Sequence, residues 1–238
     1  MMMESDPSNG GSARESILGD WYEKNYSLIA ASADGSFFSR YMHRALEKRH
    51  GPSENYSHVL EVGANRGEHL EFVRHGFDEY LLTDLGTPEV DPSVLADPRV
   101  KLGVCDVTAL PYADSTFDRV ISTCVLHHVD SPLQAALEIR RVTRSGGVVS
   151  VLMPTDPGLA YRVGKAVTSG RKARRLGLGP QHDLVSALDH RNHFRSIRTQ
   201  LMHVFREDAP EITWYPWHVP SVETNAFVVF QARVRRAG

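Results

Sequence analysis

Two cysteines in 238 residues are too few for a disulfide framework, and Cys105 and Cys124 lack the CxxC spacing of a zinc site. They are expected to be reduced packing residues at the ends of separate strands. No segment approaches the run of about 20 apolar residues that spans a bilayer. The opening stretch MMMESDPSNGGSARES also has no apolar core of signal-peptide length. A cytoplasmic location without stable membrane insertion is therefore expected. Basic excess is lacking too, because the net charge of -2 argues against a general nucleic-acid binder. What is present is 41% hydrophobic content, enough for the core of one large domain or of a domain plus a cap.

Residues 1–14 hold almost no large apolar side chain and are expected to form a disordered tail. In 15–52, Trp21, Tyr22, Tyr26, Phe37, Phe38, Tyr41 and Leu46 recur at three- and four-residue spacings, which predicts an N-terminal helical cap. Residues 53–238 then alternate strands with helices. Strands are expected at 58–62, 79–83, 99–105, 117–124 and 148–153, with two more near 195–206 and 222–234. Helices are expected at 67–75, from Pro132 to about Thr143, and near 181–190. The fold class is α/β, a Rossmann-like, doubly wound, mostly parallel seven-stranded sheet with an insertion at 156–180 after the fifth strand.

Ligands of such sheets bind beyond the C-terminal strand ends, so the residues there are the candidates. HVLEVGANRGEHL, residues 58–70, runs from an apolar strand through Glu61 into a turn punctuated by Gly63 and Gly67, with helix amides expected beyond it. Asp84 follows the second strand and Asp106 the third. Carboxylates at successive strand ends suit the ribose hydroxyls and amino group of an adenosine, and Asp84 lies about 20 residues past the turn, where an acid reaches both hydroxyls. A dinucleotide site wants G-x-G-x-x-G. Counted from Gly63, the second and third positions are Asn65 and Glu68, and a carboxylate at the third would repel pyrophosphate. Counted as G-x-G-x-G, the turn has one departure, Asn65, the residue after glycine that best tolerates positive φ.

LEVGANRGEHL, TDL, CDVTALPYADSTFDRVISTCVLHHV and RRVTRSGGVVSVLMP occur in that order over residues 58–153. Together they resemble the class I S-adenosylmethionine-dependent methyltransferases, especially the type 11 group that acts on small molecules. The resemblance implies that Gly63 and Ala64, with Asn65 and Gly67, lie against the methionine end. It implies that Asp84, with Leu85, binds the ribose and that Asp106 with the Val107 amide reads adenine. Glu61 and Cys124 complete the expected cofactor set. His127 and His128 follow the fourth strand, near the expected position of the sulfonium, and are the candidate catalytic bases; such a pair is common across relatives, so a structural or orienting role stands beside catalysis.

On the acceptor side, DPGLAYRVGKAVTSGRKARRLGLGP carries six cations and no acid after Asp156. Arg171, with Arg174 and Arg175, is placed to clamp an acidic or phosphorylated acceptor, against the plainer reading of a solvated basic lid. Trp214, Tyr215 and Trp217 in ITWYPWH, and Tyr22 and Tyr26 in the cap, are expected to wall the acceptor pocket. His182, His190 and His193 lack ligand partners at convincing spacing, so no metal site is expected. The expected activity is methyl transfer to a small-molecule acceptor, O-methylation first. A nicotinamide-dependent oxidoreductase and a non-catalytic cofactor-binding scaffold are the alternatives, and the oligomeric state, monomer or homodimer, is open.

Overall fold

The computed structural model describes residues 9–26 and 37–236. Helix α1 (Asn9–Trp21) runs into a wider helical turn (Tyr22–Tyr26), and α2 spans Phe37–Glu47. Strands β1 (His58–Val62), β2 (Glu79–Asp84), β3 (Val100–Val104) and β4 (Phe117–Thr123) follow. Then come α3 (Pro132–Val142), β5 (Thr143–Pro154), α4 (Leu159–Val167), α5 (Ser169–Arg175), α6 (Gly179–Asp189), α7 (Phe194–Val204), β6 (Glu211–Tyr215) and β7 (Phe227–Arg233). The strands form one sheet in the order β3-β2-β1-β4-β5-β7-β6, parallel except for β7. The strand order reverses between β1 and β4, which places the ligand crevice at their C-terminal ends.

Alternate residues of each strand feed two apolar layers. Leu60, Val62, Val120, Val149 and Val151 pack with Ile139 of α3 and with Phe194, Ile197 and Leu201 of α7. Val59, Leu82, Ile121, Leu152 and Val229 pack on the other face with Leu46 of α2. Helix α3 begins where Ser131 accepts the backbone N–H of Gln134, with Pro132 in its first turn. A bulge separates the pairs Phe117↔Thr143 and Arg119↔Val148, so β5 starts at Thr143 and carries Gly146-Gly147 within it.

Four expectations are corrected. The described part of the N-terminal region is helical from Asn9, inside the stretch expected to be tail, while residues 1–8 lie outside the described residues. The expected cap divides in two. Trp21 of α1 packs with Ala173 and Val185 of the insertion, whereas α2 lies directly on the sheet. Residues 67–75 form turns and one 3-10 turn, Leu70–Phe72, instead of a helix. They sink His69 and Phe72 against α2, where the His43 ring stacks on Phe72 at 5.1 Å. Finally, 195–206 is mostly helix α7 and ITWY is strand β6. Phe194, Ile197, Leu201 and Val204 recur at three and four residues, a helical period among residues whose chain position suggested a strand.

A buried polar seam ties α2 to the sheet. Arg119 of β4 donates to both carboxylate oxygens of Glu47, and the His69 ring reaches Glu47 Oε1 at 2.9 Å. Nearby, His43 meets His69 at 3.0 Å and His50 meets the Tyr56 hydroxyl at 3.0 Å. Burial, with His69 adding to it, pulls His43 down to about 3. Burial and Arg119 pull His50 down to about 4. The unfolded chain binds protons at both rings below about pH 6.5 while the fold resists them. Their contribution is therefore present above that pH and is lost as pH falls toward 4. The unfolding free energy measured by denaturant titration is expected to drop from pH 7 to pH 5, by on the order of 2 kcal/mol for each of the two histidines. A flat profile would contradict the neutral state of both rings.

Candidate active site

The turn after β1 is built on left-handed backbone. Gly63 has φ +67°, and a Cβ there would lie 2.2 Å from Val125 Cγ2, so glycine is required. Gly67 has φ +74° and Asn65 has φ 48°, the conformation that asparagine was expected to supply. Ala64 is buried and donates its N–H to Thr83 O at 2.9 Å. Asn65 donates its N–H to Asp84 Oδ2 at 2.9 Å, and Leu85 donates to Asp84 Oδ1 at 2.7 Å. One backbone donor on each oxygen leaves acceptor capacity on both for a pair of hydroxyls. Because no helix follows the turn, its donors come from the turn itself rather than from the helix terminus that the sequence suggested.

Glu68 accepts from Asn65 Nδ2 at 3.2 Å and from the Arg66 N–H at 3.3 Å. This carboxylate folds back onto the turn, where a dinucleotide site would need room for pyrophosphate. Glu61 is buried beneath the turn and accepts the Tyr80 hydroxyl at 2.7 Å. Burial holds its carboxyl above the usual range. Asp106 is exposed beyond β3, with Oδ1 taking the N–H of Thr108 at 2.8 Å and its hydroxyl at 2.7 Å, and Val107 is buried beside it. Leu85 is exposed. Cys124 closes β4 at φ 58°, and burial pushes its thiol up to about 12. It stays protonated and contributes no charge.

Past Cys124, His127 is buried and His128 is half-buried. The structure brings His190, at the end of α6, against both. The ring centroids lie 4.6 Å apart for His127 and His128, 4.9 Å for His127 and His190, and 5.0 Å for His128 and His190. Two carboxylates back this group, with Asp189 Oδ2 at 2.9 Å from His128 Nδ1 and Asp156 Oδ2 at 3.0 Å from His190 Nδ1. Burial drives His127 far below the ordinary imidazole range, with His128, His190 and Lys165 adding to the shift. Sequence spacing hid this cluster, because β5 and the whole insertion separate its members. The one available signal was a carboxylate next to His190 in sequence, Asp189.

Two residues of the expected acceptor wall are buried in the sheet instead. Trp214 and Tyr215 are buried in β6, the first in edge contact with Phe194 at 5.4 Å and the second stacked on Phe227 at 5.0 Å. They pack the sheet, so of these three aromatics Trp217, 67% exposed at the C-terminal end of β6, is the one free to meet a ligand. Arg171, Arg174 and Arg175 are all exposed on α5, and Arg174 donates to Ala166 O. The side chains of Tyr22 and Tyr26 lie outside the described residues.

A seven-stranded sheet of this order, with a glycine turn beside Asp84 at its reversal point, defines an α/β domain of the Rossmann-like type. A family profile described as a methyltransferase domain matches residues 60–151. Residues 60–151 thus carry a methyltransferase domain. An uncharacterized methyltransferase of Mycobacterium sp. (strain KMS) is 31% identical over 140 residues, 55% of each chain. The chain thus spans about half the length of that curated relative. Among solved structures, the CurJ carbon methyltransferase superposes with TM-score 0.62 at 16% identity, over 98% of this chain and 72% of that one. The Burkholderia thailandensis 1,6-didemethyltoxoflavin-N1-methyltransferase, with bound 1,6-didemethyltoxoflavin and S-adenosylhomocysteine, superposes with TM-score 0.60 at 16% identity, over 99% and 93%. These two show the fold. No helix of the described residues is long and apolar enough to cross a membrane.

Proposed function

We propose that this protein transfers a methyl group from S-adenosylmethionine to a small-molecule acceptor, with oxygen as the receiving atom. The observation that carries the reading is the Asp84 carboxylate at the C-terminal end of β2, with each oxygen held by one backbone N–H of the loops around it. Gly63, Ala64, Asn65 and Gly67 keep the turn open to the methionine end, Asp84 and Leu85 take the ribose, and Asp106 with the Val107 amide takes the adenine. Glu61 and Cys124 act from beneath and beside the turn, one bracing Tyr80 and the other shaping the end of β4. When bound, the cofactor supplies an electrophilic methyl carbon.

Direct transfer asks the protein to hold the acceptor in line and, for a hydroxyl, to take its proton. Of the two candidate bases, His128 is the better suited, since it is half-buried where His127 is buried, and a carboxylate, Asp189, lies 2.9 Å from its Nδ1. His127 is buried and serves as its neighbour rather than as the base. Arg171 on the rim suits an acidic or phosphorylated metabolite or a natural-product intermediate, and Trp217 offers it a face. The two structural neighbours methylate carbon and nitrogen by their names, so the oxygen assignment rests on this chain's own histidines.

Calorimetric titration with S-adenosylmethionine, S-adenosylhomocysteine and NAD tests the cofactor. Both sulfur nucleosides are expected to bind and NAD is not. Binding of NAD alone would turn the reading to an oxidoreductase, and binding of none would leave a non-catalytic scaffold.

A further inference from the structure

We propose that His127, His128 and His190 form a binding site for a divalent transition-metal ion of the zinc, cobalt and nickel class. Each ring offers one nitrogen, and the three nitrogens lie within 4.8 Å of one another. Imidazole nitrogens bound to zinc at about 2.0–2.1 Å in tetrahedral geometry are roughly 3.3 Å apart, so small ring rotations would complete the set. A set of three imidazoles favours these metals over magnesium and calcium, which prefer oxygen.

Two further features match what metal-binding histidines require. A ligating imidazole ordinarily gives its second ring nitrogen to a carboxylate, which fixes its orientation and raises its basicity. Here Asp156 Oδ2 is hydrogen-bonded to Nδ1 of His190 at 3.0 Å, which leaves Nε2 of that ring for the ion, while Asp189 Oδ2 lies 2.9 Å from Nδ1 of His128 outside hydrogen-bond geometry. The third ring, His127, is 3% exposed, and its Nδ1 has no hydrogen-bond partner. An orphaned buried nitrogen costs stability, and an ion bound at His127 Nδ1 would satisfy it.

The backbone already holds the three rings together. His127 O accepts the N–H groups of Arg191 and Asn192 at 3.0 and 3.3 Å, and Asn192 Nδ2 donates to Val129 O at 2.7 Å. This clamp joins the end of α6 to the segment after β4, so the three rings are neighbours before any ion arrives. Lys165 is the cation that opposes the site, and Asp156, Asp183 and Asp189 surround it. Three protein ligands also leave a coordination position open, and a hydroxyl or carboxylate of a small acceptor has the chemistry to fill it. His128 Nε2 cannot hold the ion and accept a proton at once, so the metal-loaded and metal-free proteins would activate an acceptor differently.

The test uses tag-free full-length protein stripped with a chelator, and no S-adenosylmethionine. Cobalt(II) is titrated while the visible absorption of a cobalt–imidazole centre is followed, and zinc is titrated by calorimetry. One ion per chain is expected. His190→Ala should weaken binding at least tenfold, and Asp156→Asn by about 10–100-fold, the cost of losing a carboxylate behind a ligand. Circular dichroism and S-adenosylhomocysteine titration confirm that each variant is folded. Failure of the wild type to bind one ion, or equal binding by folded His190→Ala and Asp156→Asn, overturns the site. If metal binds as expected but S-adenosylhomocysteine does not bind the wild type, the site stands and the transferase reading falls.

Discussion

Asp84→Ala is expected to weaken S-adenosylhomocysteine binding between about tenfold and more than a hundredfold. That range corresponds to roughly 1.5–3 kcal/mol for hydrogen bonds to a charged acceptor. Two losses combine. The carboxylate would no longer accept ribose hydroxyls, and the N–H groups of Asn65 and Leu85 would lose their acceptors at 2.9 and 2.7 Å. Asn65 sits in left-handed backbone, so its turn depends on such external ties more than a relaxed turn would. Asp84→Asn separates the contributions, because it keeps one acceptor oxygen while aiming an amide donor at a backbone N–H. An intermediate affinity is therefore expected for the asparagine variant. Calorimetry reports the affinity, and thermal unfolding of the same samples shows whether the turn alone has loosened. Wild-type affinity in Asp84→Ala would remove the ribose role from this residue.

The parts of the fold legible in sequence are those in which neighbouring residues determine the outcome. Val59, Leu60 and Val62 announce a strand because parallel strands bury both faces, and Ser131-Pro132 announces a helix start by capping chemistry alone. Asn65 was legible for the same reason, since positive φ is a local demand. Misreadings arose where distant partners decide. Residues 67–75 have enough apolar character for a helix, yet His69 and Phe72 are drawn out by His43 and Glu47 of α2, more than twenty residues earlier. Sequence position alone makes Trp214 and Tyr215 pocket walls, because it assigns the sixth strand to the segment before them. Once Phe194–Val204 is a helix, β6 moves forward and takes both aromatics into the sheet. His190 is the strongest case. Its role depends on α6 returning its end to β4, and no spacing of histidines in the chain encodes that return.

Arg119→Met is expected to destabilise the fold by about 3–5 kcal/mol, because it strands a buried carboxylate whose partner has been removed. Arg119 is fully buried, and its two terminal nitrogens donate to Glu47 at 2.9 and 2.6 Å, the paired geometry that makes guanidinium–carboxylate contacts strong. Its carbon Cζ lies 5.6 Å from the centre of the Tyr56 ring, a contact that methionine only partly replaces. Burial alone would push the Glu47 carboxyl up, but the hydrogen bond from His69 and the charge of Arg119 outweigh it and hold the group well below its usual range. In the wild type this contribution is present above about pH 4.5 and is lost as pH falls below it. The variant reverses the balance, since burial then favours the protonated acid. Its penalty should therefore shrink as pH falls, because a neutral carboxyl needs no cation. Replacing both partners, Glu47→Leu with Arg119→Met, should recover a good part of the loss, although His69 then lacks its acceptor. Urea denaturation of the three variants at pH 7.5 and 5.5 measures these differences. A penalty under about 1 kcal/mol for Arg119→Met at pH 7.5 would mean that Glu47 finds another partner or reaches water.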